Sequence, residues 1–373
     1  MTARRAEIVG AGLAGLTAAC ALAQRGWQVR VHERSGELRT AGAGIYIYEN
    51  GLRVLEAVGA HDAAIADASP AHTREVRDEA NRVVAVHRWT GSRVFSVVRQ
   101  NVINALAAAA TAAGARIVTG EAAVTASAGG GLTLSTGERL QADLIVAADG
   151  SNSTVRKSIG MAVKRRPLVD GCTRLLVAAL PEETSGADAG KTIEYWSGTR
   201  RLLYTPCSRS DIYVALTMLD SDTAGKDVPV RRDVWKAAFP HLAALIDRIG
   251  DQGRYDRFEM IKLARWSQGH VAIVGDAAHA LPPNIGQGGG CAMMNALALA
   301  VHLDRSSDVL AALRAWERQE RPLTDHTQRM SFLLGLPTTW PPSLRALAFG
   351  LAGRSRWLTR QRTRTALHRP TGT

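Results

Sequence analysis

Cysteine is scarce in this chain of 373 residues: Cys20, Cys172, Cys207 and Cys291 stand far apart, in no metal-ligand spacing and no disulfide framework. A zinc ribbon or a disulfide-stapled scaffold is thereby excluded, and four isolated thiols suit a reducing cytoplasm. Ten scattered histidines form no HExxH-like cluster, so no metal site is expected. Long charged blocks and low-complexity tracts are missing too. Apolar residues make up 46%, enough for a sizeable core in two domains of ordinary size. No apolar run of membrane-spanning length is left once Ile8–Ala23 is read as part of a nucleotide fold.

Acidic residues vanish after Asp325. The segment 326–373 holds eight arginines, among them Arg345, Arg354, Arg356, Arg360 and Arg362. Setting them aside leaves 38 basic against 34 acidic residues, so the net charge of +12 is a property of the tail and not of a nucleic-acid-binding face. From Leu344 to Leu367 apolar residues recur with the arginines at loosely helical spacing. That predicts a helix packed on the body with a solvated cationic face. Neither nucleic acid nor a membrane is expected as a partner.

Gly10-Ala11-Gly12-Leu13-Ala14-Gly15 follows a strand candidate at Ile8-Val9 and opens an alanine-rich helix to Gln24; a second strand candidate ends at Glu33. The pattern predicts a dinucleotide-binding βαβ unit. Gly10 permits the tight turn, Gly12 the approach of a pyrophosphate and Gly15 close helix packing, while Glu33, followed by Arg34, falls where a side chain meets a ribose. Amides at the helix N-terminus would hold the phosphates. The rival reading, an export signal opened by Arg4-Arg5, sits badly with three glycines at this spacing.

Two later strand candidates run into aspartate. Leu144–Ala148 stops at Asp149-Gly150. Val271–Val274 stops at Gly275-Asp276, followed by Pro282-Pro283, the turn Gly286-Gln287-Gly288-Gly289-Gly290 and an apolar helix from Cys291 to Leu303. Open α/β sheets bind ligands at such strand ends. In order and spacing the three motifs resemble those of the single-component FAD-dependent aromatic hydroxylases, the para-hydroxybenzoate hydroxylase family, over residues 4–325. The resemblance implies an α/β chain with a discontinuous, Rossmann-like FAD domain (1–70, 95–165 and 265–325), an inserted antiparallel β-sheet substrate domain (71–94 and 166–264) and a basic helical C-terminal segment (326–373). It implies non-covalent FAD, with Asp276 at the ribityl chain, Arg99 at phosphate or ribose, and Asp149 shared with a visiting NAD(P)H. The turn Gly286, Gln287, Gly288 would aim amides and a helix dipole at the flavin ring.

Arg200–Thr205 and Asp211–Met218 read as antiparallel strands around a turn, with Ile212, Val214, Leu216 and Met218 on a single buried face. The runs Gly42–Tyr46, Asn50–Glu56 and Gly275–Ala280 are similar to the branch of the family that hydroxylates and opens hydroxypyridine carboxylates. By that likeness Arg201 grips a substrate carboxylate, Tyr213 hydrogen-bonds the ring hydroxyl and Tyr46 packs beside the ring. Pro283, lacking an N–H, lines the oxygen side of the flavin. His279 reads as a loop residue near the flavin. Where that branch carries a pocket tyrosine, this chain carries Arg74. The implied activity is NAD(P)H- and O2-dependent hydroxylation of an aromatic or N-heteroaromatic carboxylate, as in pyridine catabolism. A phenol or salicylate hydroxylase, a reductase of isoprenoid double bonds, and a non-enzymatic flavin- or nucleic-acid-binding protein are the alternatives. A monomer and a homo-oligomer both stay open.

Overall fold

A computed structural model describes residues 3–38 and 43–373, so Gly42 of the run Gly42–Tyr46 lies outside the described residues. The continuous apolar runs of the nucleotide motifs become the strands of one sheet. Its order is Ser267–Gln268, Val271–Ile273, Leu144–Ala147, Arg5–Val9, Gln28–Glu33, Arg116–Thr119, parallel throughout except for the first pair. Leu144–Ala147 and Val271–Ile273 are buried along their whole length, as strands of a parallel sheet covered on both faces must be. The covering helices Leu13–Ala23 and Gly288–Asp304 are rich in Ala and Gly, which lets them lie close to the sheet and to each other.

A second sheet of seven strands stands over the carboxyl ends of the first. Its order is Tyr255–Leu263, Val163–Ala178, Asp211–Leu219, Arg200–Pro206, Lys191–Ser197, Thr73–Arg77, Val83–Arg88. All neighbours are antiparallel except Lys191–Ser197 with Thr73–Arg77. The hairpin expected around residues 206–210 forms, but the expectation of one buried face needs correction. Ile212, Val214, Leu216 and Met218 pack with Trp235 and Phe239 from the helical excursion that follows this strand. Tyr213, Ala215 and Thr217 on the other face are buried as well and turn toward a cavity.

The tail is helical, as expected, but in more than one piece. A continuous helix Val309–Leu333 runs through the boundary placed at 325–326. Beyond it come two helices, Pro342–Arg354 and Arg356–Thr363, broken at Ser355, whose hydroxyl accepts from the Leu358 amide and caps the second. Arg354, Arg356 and Arg360 are exposed, as a cationic face requires. Arg345 is not: it is buried, donates to the Gly198 carbonyl at 2.6 Å and stacks over Trp196 at 4.4 Å. The last residues fold back on the body, with Ala366 O accepting from the Asn50 amide and Thr371 bonded to Glu320. Among the described residues no helix is long and apolar enough to cross a membrane.

Candidate active site

Between the strand ends of the first sheet and the inner face of the second lies a cavity of about 690 Å³. Its floor is built by glycine. Gly10 has φ of +99°, and a Cβ there would sit 2.5 Å from Ala148 O; a Cβ at Gly15 would sit 1.9 Å from Gly10 O. Neither position tolerates a side chain. Gly12 differs, because a Cβ there would meet nothing within 4 Å and would project into the cavity, as would one at Gly288. Backbone bared in this way is what a phosphate or a ring edge can approach.

Arg99, at the start of the helix Arg99–Ala112, and Asp276, at the end of the strand Val271–Ile273, face the same space. Burial lowers the Arg99 guanidinium and raises the Asp276 carboxyl, and their mutual attraction opposes both shifts. Asp276 makes no hydrogen bond among the described residues, and Arg99 Nε, Asp149 Oδ1 and Gln287 Nε2 are buried without partners. Buried polar atoms left unpaired around a glycine-floored cavity are what a polar cofactor would satisfy, so these residues fit FAD.

Gly12, Arg99, Asp276, Gly286, Gly288, Pro283, Tyr46, Tyr213 and Arg201 all line this cavity. Gly10, Gly15, Glu33, Arg34, Asp149 and Gln287 do not; they shape it or lie outside. Glu33 accepts from the Ala11 and Ser35 amides, both at 2.9 Å, so its carboxylate fastens the glycine turn. Arg34 is exposed. Asp149 accepts from the Thr154 and Val155 amides at 2.7 and 3.2 Å, and Gln287 accepts from Asn50 at 2.9 Å. His279 is not a loop residue of the cavity. It is buried in the short helix Asp276–His279, hydrogen-bonded to Asn295 and packed on Trp266, and burial drives its imidazole down to about 4. Arg156 ties the second motif to the third, donating to Ser151 O and Ala277 O.

The roof is aromatic and ionic. Tyr46 bonds Thr205 at 2.5 Å, and its ring lies 6.3 Å from that of Tyr213. A Cβ at position 44 would be 2.4 Å from the Tyr213 ring, which explains the glycine there. Burial pushes the Tyr213 phenol up to about 12, against the pull of Arg174, and pushes Tyr46 higher still, so both keep their protons.

Arg201 does not stand free for a substrate carboxylate. It is paired with Asp170 at 2.9 Å and Glu194 at 3.5 Å, donates to Asn284 Oδ1 at 3.1 Å and stacks on Trp196. Arg74 is paired with Glu194 at 2.5 Å. Burial raises Asp170 against the pull of Arg201, whereas Arg74 and Arg201 together hold Glu194 below the usual carboxylate range despite its burial. Two cations and two anions therefore balance. Strand alternation gave no hint of this, because Asp170 reaches Arg201 from two strands away in the folded sheet and the strand carrying Glu194 was not anticipated. Arg362, from the tail helix, is a further wall residue that sequence reasoning missed. Burial, then Arg74, brings it down to about 10, and it has no ion pair or hydrogen bond among the described residues.

A parallel nucleotide-binding sheet floored by glycine turns, with a second sheet closing over its ligand cavity, defines a flavin-dependent oxidoreductase. Residues 4–320 match the FAD binding domain family, and the chain belongs to that family, among its FAD-dependent aromatic monooxygenases. It is 41% identical to 2-heptyl-3-hydroxy-4(1H)-quinolone synthase of Mycobacteroides abscessus over 95% of this chain and 96% of the other. A Rhodococcus erythropolis protein named as a candidate for the same synthase is 44% identical, over 99% and 98%. The tetrameric form of 2-methyl-3-hydroxypyridine-5-carboxylic acid oxygenase superposes with a TM-score of 0.89 at 40% identity, over 98% and 96%. FAD is the cofactor, and family members use NAD(P)H and O2.

Proposed function

We propose that the chain hydroxylates a neutral N-heteroaromatic ring, of the 4(1H)-quinolone type, at the carbon beside its oxygen substituent. A ring C–H bond is replaced by C–OH; the hydride of NAD(P)H and a proton reduce the second oxygen atom of O2 to water. The observation that carries this reading is the pairing of two roof arginines. Arg74 and Arg201 are already matched by Glu194 and Asp170, so neither of these cations calls for a charged ligand. The quinolone synthase names of the two relatives fit such a ring.

Gly12, Arg99 and Asp276 would hold FAD, with Gly286 and Gly288 at its ring and with Gly10, Gly15, Glu33, Asp149 and Gln287 keeping those contacts in place. When bound and reduced, FAD supplies the oxygen-transfer chemistry. The chain's own residues orient and exclude. Tyr213, protonated and backed by Arg174, donates to the ring oxygen and stabilises negative charge as it develops there. Tyr46, held by Thr205, packs beside the ring. Pro283 presents no N–H at the cavity edge, and the roof keeps bulk water out.

A second reading, a hydroxypyridine carboxylate with ring opening, is favoured by one observation: the unpaired cation of Arg362 in the cavity wall. Titrating the FAD-loaded protein with 4(1H)-quinolone and with a 3-hydroxypyridine carboxylate separates the two. Flavin absorbance, NAD(P)H consumption and product mass are followed together. Tighter binding and coupled hydroxylation of the quinolone support the first reading; response to the carboxylate alone selects the second.

A further inference from the structure

The helix Pro342–Arg354 turns carbon outward as well as inward. Its inner side meets the body, where Arg345 and Phe349 both stack on Trp196. Leu344, Leu347 and Leu351 recur at i, i+3 and i+7, which sets them within about 60° of one another around the helix axis, and they are 56, 60 and 58% exposed. Trp340 and Trp357, also exposed, flank this stripe in the chain. A helix that is apolar on both sides is ordinarily buried on both. The cations beside it are as bare as the leucines: Arg354, Arg356 and Arg360 are exposed, and their side chains make no ion pair or hydrogen bond among the described residues. Elsewhere exposed arginines find carboxylates, as Arg82 finds Asp78 and Arg93 finds Glu49 and Glu56. We propose that this face docks the protein onto an anionic lipid surface. The proposal stands apart from the choice of ring made above.

The chemistry of the patch selects lipid over protein. Leucine loses its apolar hydration on entering the boundary between headgroups and acyl chains, tryptophan settles at headgroup level with its indole N–H toward water, and arginine meets phosphate bidentately. A solvated cationic face was expected of this tail; the face found is cationic and apolar together, the combination that binds lipid. A second copy of the chain fits it less well. In a two-fold contact the same arginines would face one another, and residues 1–325 offer no acidic surplus to receive them, since 38 basic residues stand there against 34 acidic. The helix Arg356–Thr363 joins the patch to the site: Arg356 and Arg360 point to solvent while Arg362 lines the main cavity. A docked molecule therefore holds one wall of its ligand cavity alongside the lipid.

Co-sedimentation of the FAD-loaded protein with vesicles of phosphatidylcholine, and of an equal mixture of phosphatidylcholine and phosphatidylglycerol, tests this. Affinity for the mixed vesicles should exceed that for the neutral ones by about fivefold for each arginine engaged, and should fall as salt is added. Leu347→Glu and Leu351→Glu should each remove about tenfold or more of the mixed-vesicle affinity, and Arg356→Gln and Arg360→Gln about fivefold each. All four side chains are exposed and none lines the main cavity, so FAD stoichiometry, melting temperature and lipid-free NAD(P)H oxidation should match the wild type. Equal retention by the two kinds of vesicle, retention by neither, or leucine variants that sediment like the wild type overturns the proposal. Sedimentation velocity without lipid covers the rival occupant. If the wild type self-associates, Leu351→Glu does not, and the mixed vesicles retain neither, the patch is a contact between copies and the lipid assignment falls.

Discussion

Glu194 sets the charge of the cavity wall, and Glu194→Gln is the sharpest way to test that. The side chain is 8% exposed, with one oxygen 2.5 Å from Arg74 and the other 3.5 Å from Arg201. Glutamine keeps the shape and removes the charge, leaving Arg74, Arg201 and Asp170 with one surplus cation. A unit charge pair at about 4 Å is worth about 4 kcal/mol at an effective dielectric constant of about 20. A ligand carboxylate that takes up part of that vacancy should gain about 1.5–3 kcal/mol, or about 10- to 150-fold in affinity. A neutral quinolone should gain nothing. Stability should fall, since an uncompensated buried charge costs up to about 3–5 kcal/mol, less here because cavity water reaches Arg74. The assay is titration of the FAD-loaded variant with a hydroxypyridine carboxylate and with 4(1H)-quinolone at low and high salt. A folded, FAD-bound Glu194→Gln protein whose affinity for the carboxylate equals that of the wild type would refute the reasoning.

Gly15→Ala should lose both the glycine turn and FAD, because its Cβ overlaps Gly10 O. Gly12→Ala should fold normally yet lose FAD on gel filtration, and stoichiometric FAD in that variant would show that the cofactor does not lie over Gly12. His279, ordinarily near 6.5 and held at about 4 by burial, binds its proton more readily in the unfolded chain. Its contribution is whole above pH ~6.5 and disappears between ~6.5 and ~4, on the order of 3 kcal/mol. Urea titrations at pH 7.5 and 4.5 should show the wild type losing more stability than His279→Gln, and equal losses would count against it. Truncation after Gly335 removes Arg345, one of the two arginines stacked on Trp196, and the contacts of residues 365–373 with the body, so melting temperature and FAD retention should both drop. A truncated protein with wild-type melting and ligand affinity would return the tail to a peripheral role.

The nucleotide half was legible because its signals are local. Gly10, Gly12 and Gly15 are dictated by one turn, and the runs at 144–147 and 271–273 advertise buried parallel strands by composition alone. The hairpin 200–219 announced itself by alternation and a polar turn. What escaped was non-local. Arg201 looked like a free cation because Asp170 comes from a strand two places away in the folded sheet, and the neighbouring strand that carries Glu194 was not recognised as its hairpin partner. Glu33 and Gln287 do not line the cavity themselves, and their bonds to Ala11 and Asn50 depend on loop geometry that spacing does not encode. Arg345 and Arg362 were indistinguishable in sequence from Arg354 and Arg360, since a loosely amphipathic pattern does not say which arginine turns inward.

The seven-stranded sheet is joined to the nucleotide half at both of its ends. At one end Val163–Ala178 leaves and Tyr255–Leu263 returns, paired from Val163↔Leu263 onward; at the other, Thr73–Arg77 and Val83–Arg88 connect back through short links. A plate hinged along two opposite edges cannot swing like a flap without tearing one of them. Traffic of substrate and product past this roof must therefore be served by its smaller moving parts. The helices Pro342–Arg354 and Arg356–Thr363, tied to the sheet through side chains such as Arg345 and not through strand ladders, are the door that such a frame leaves.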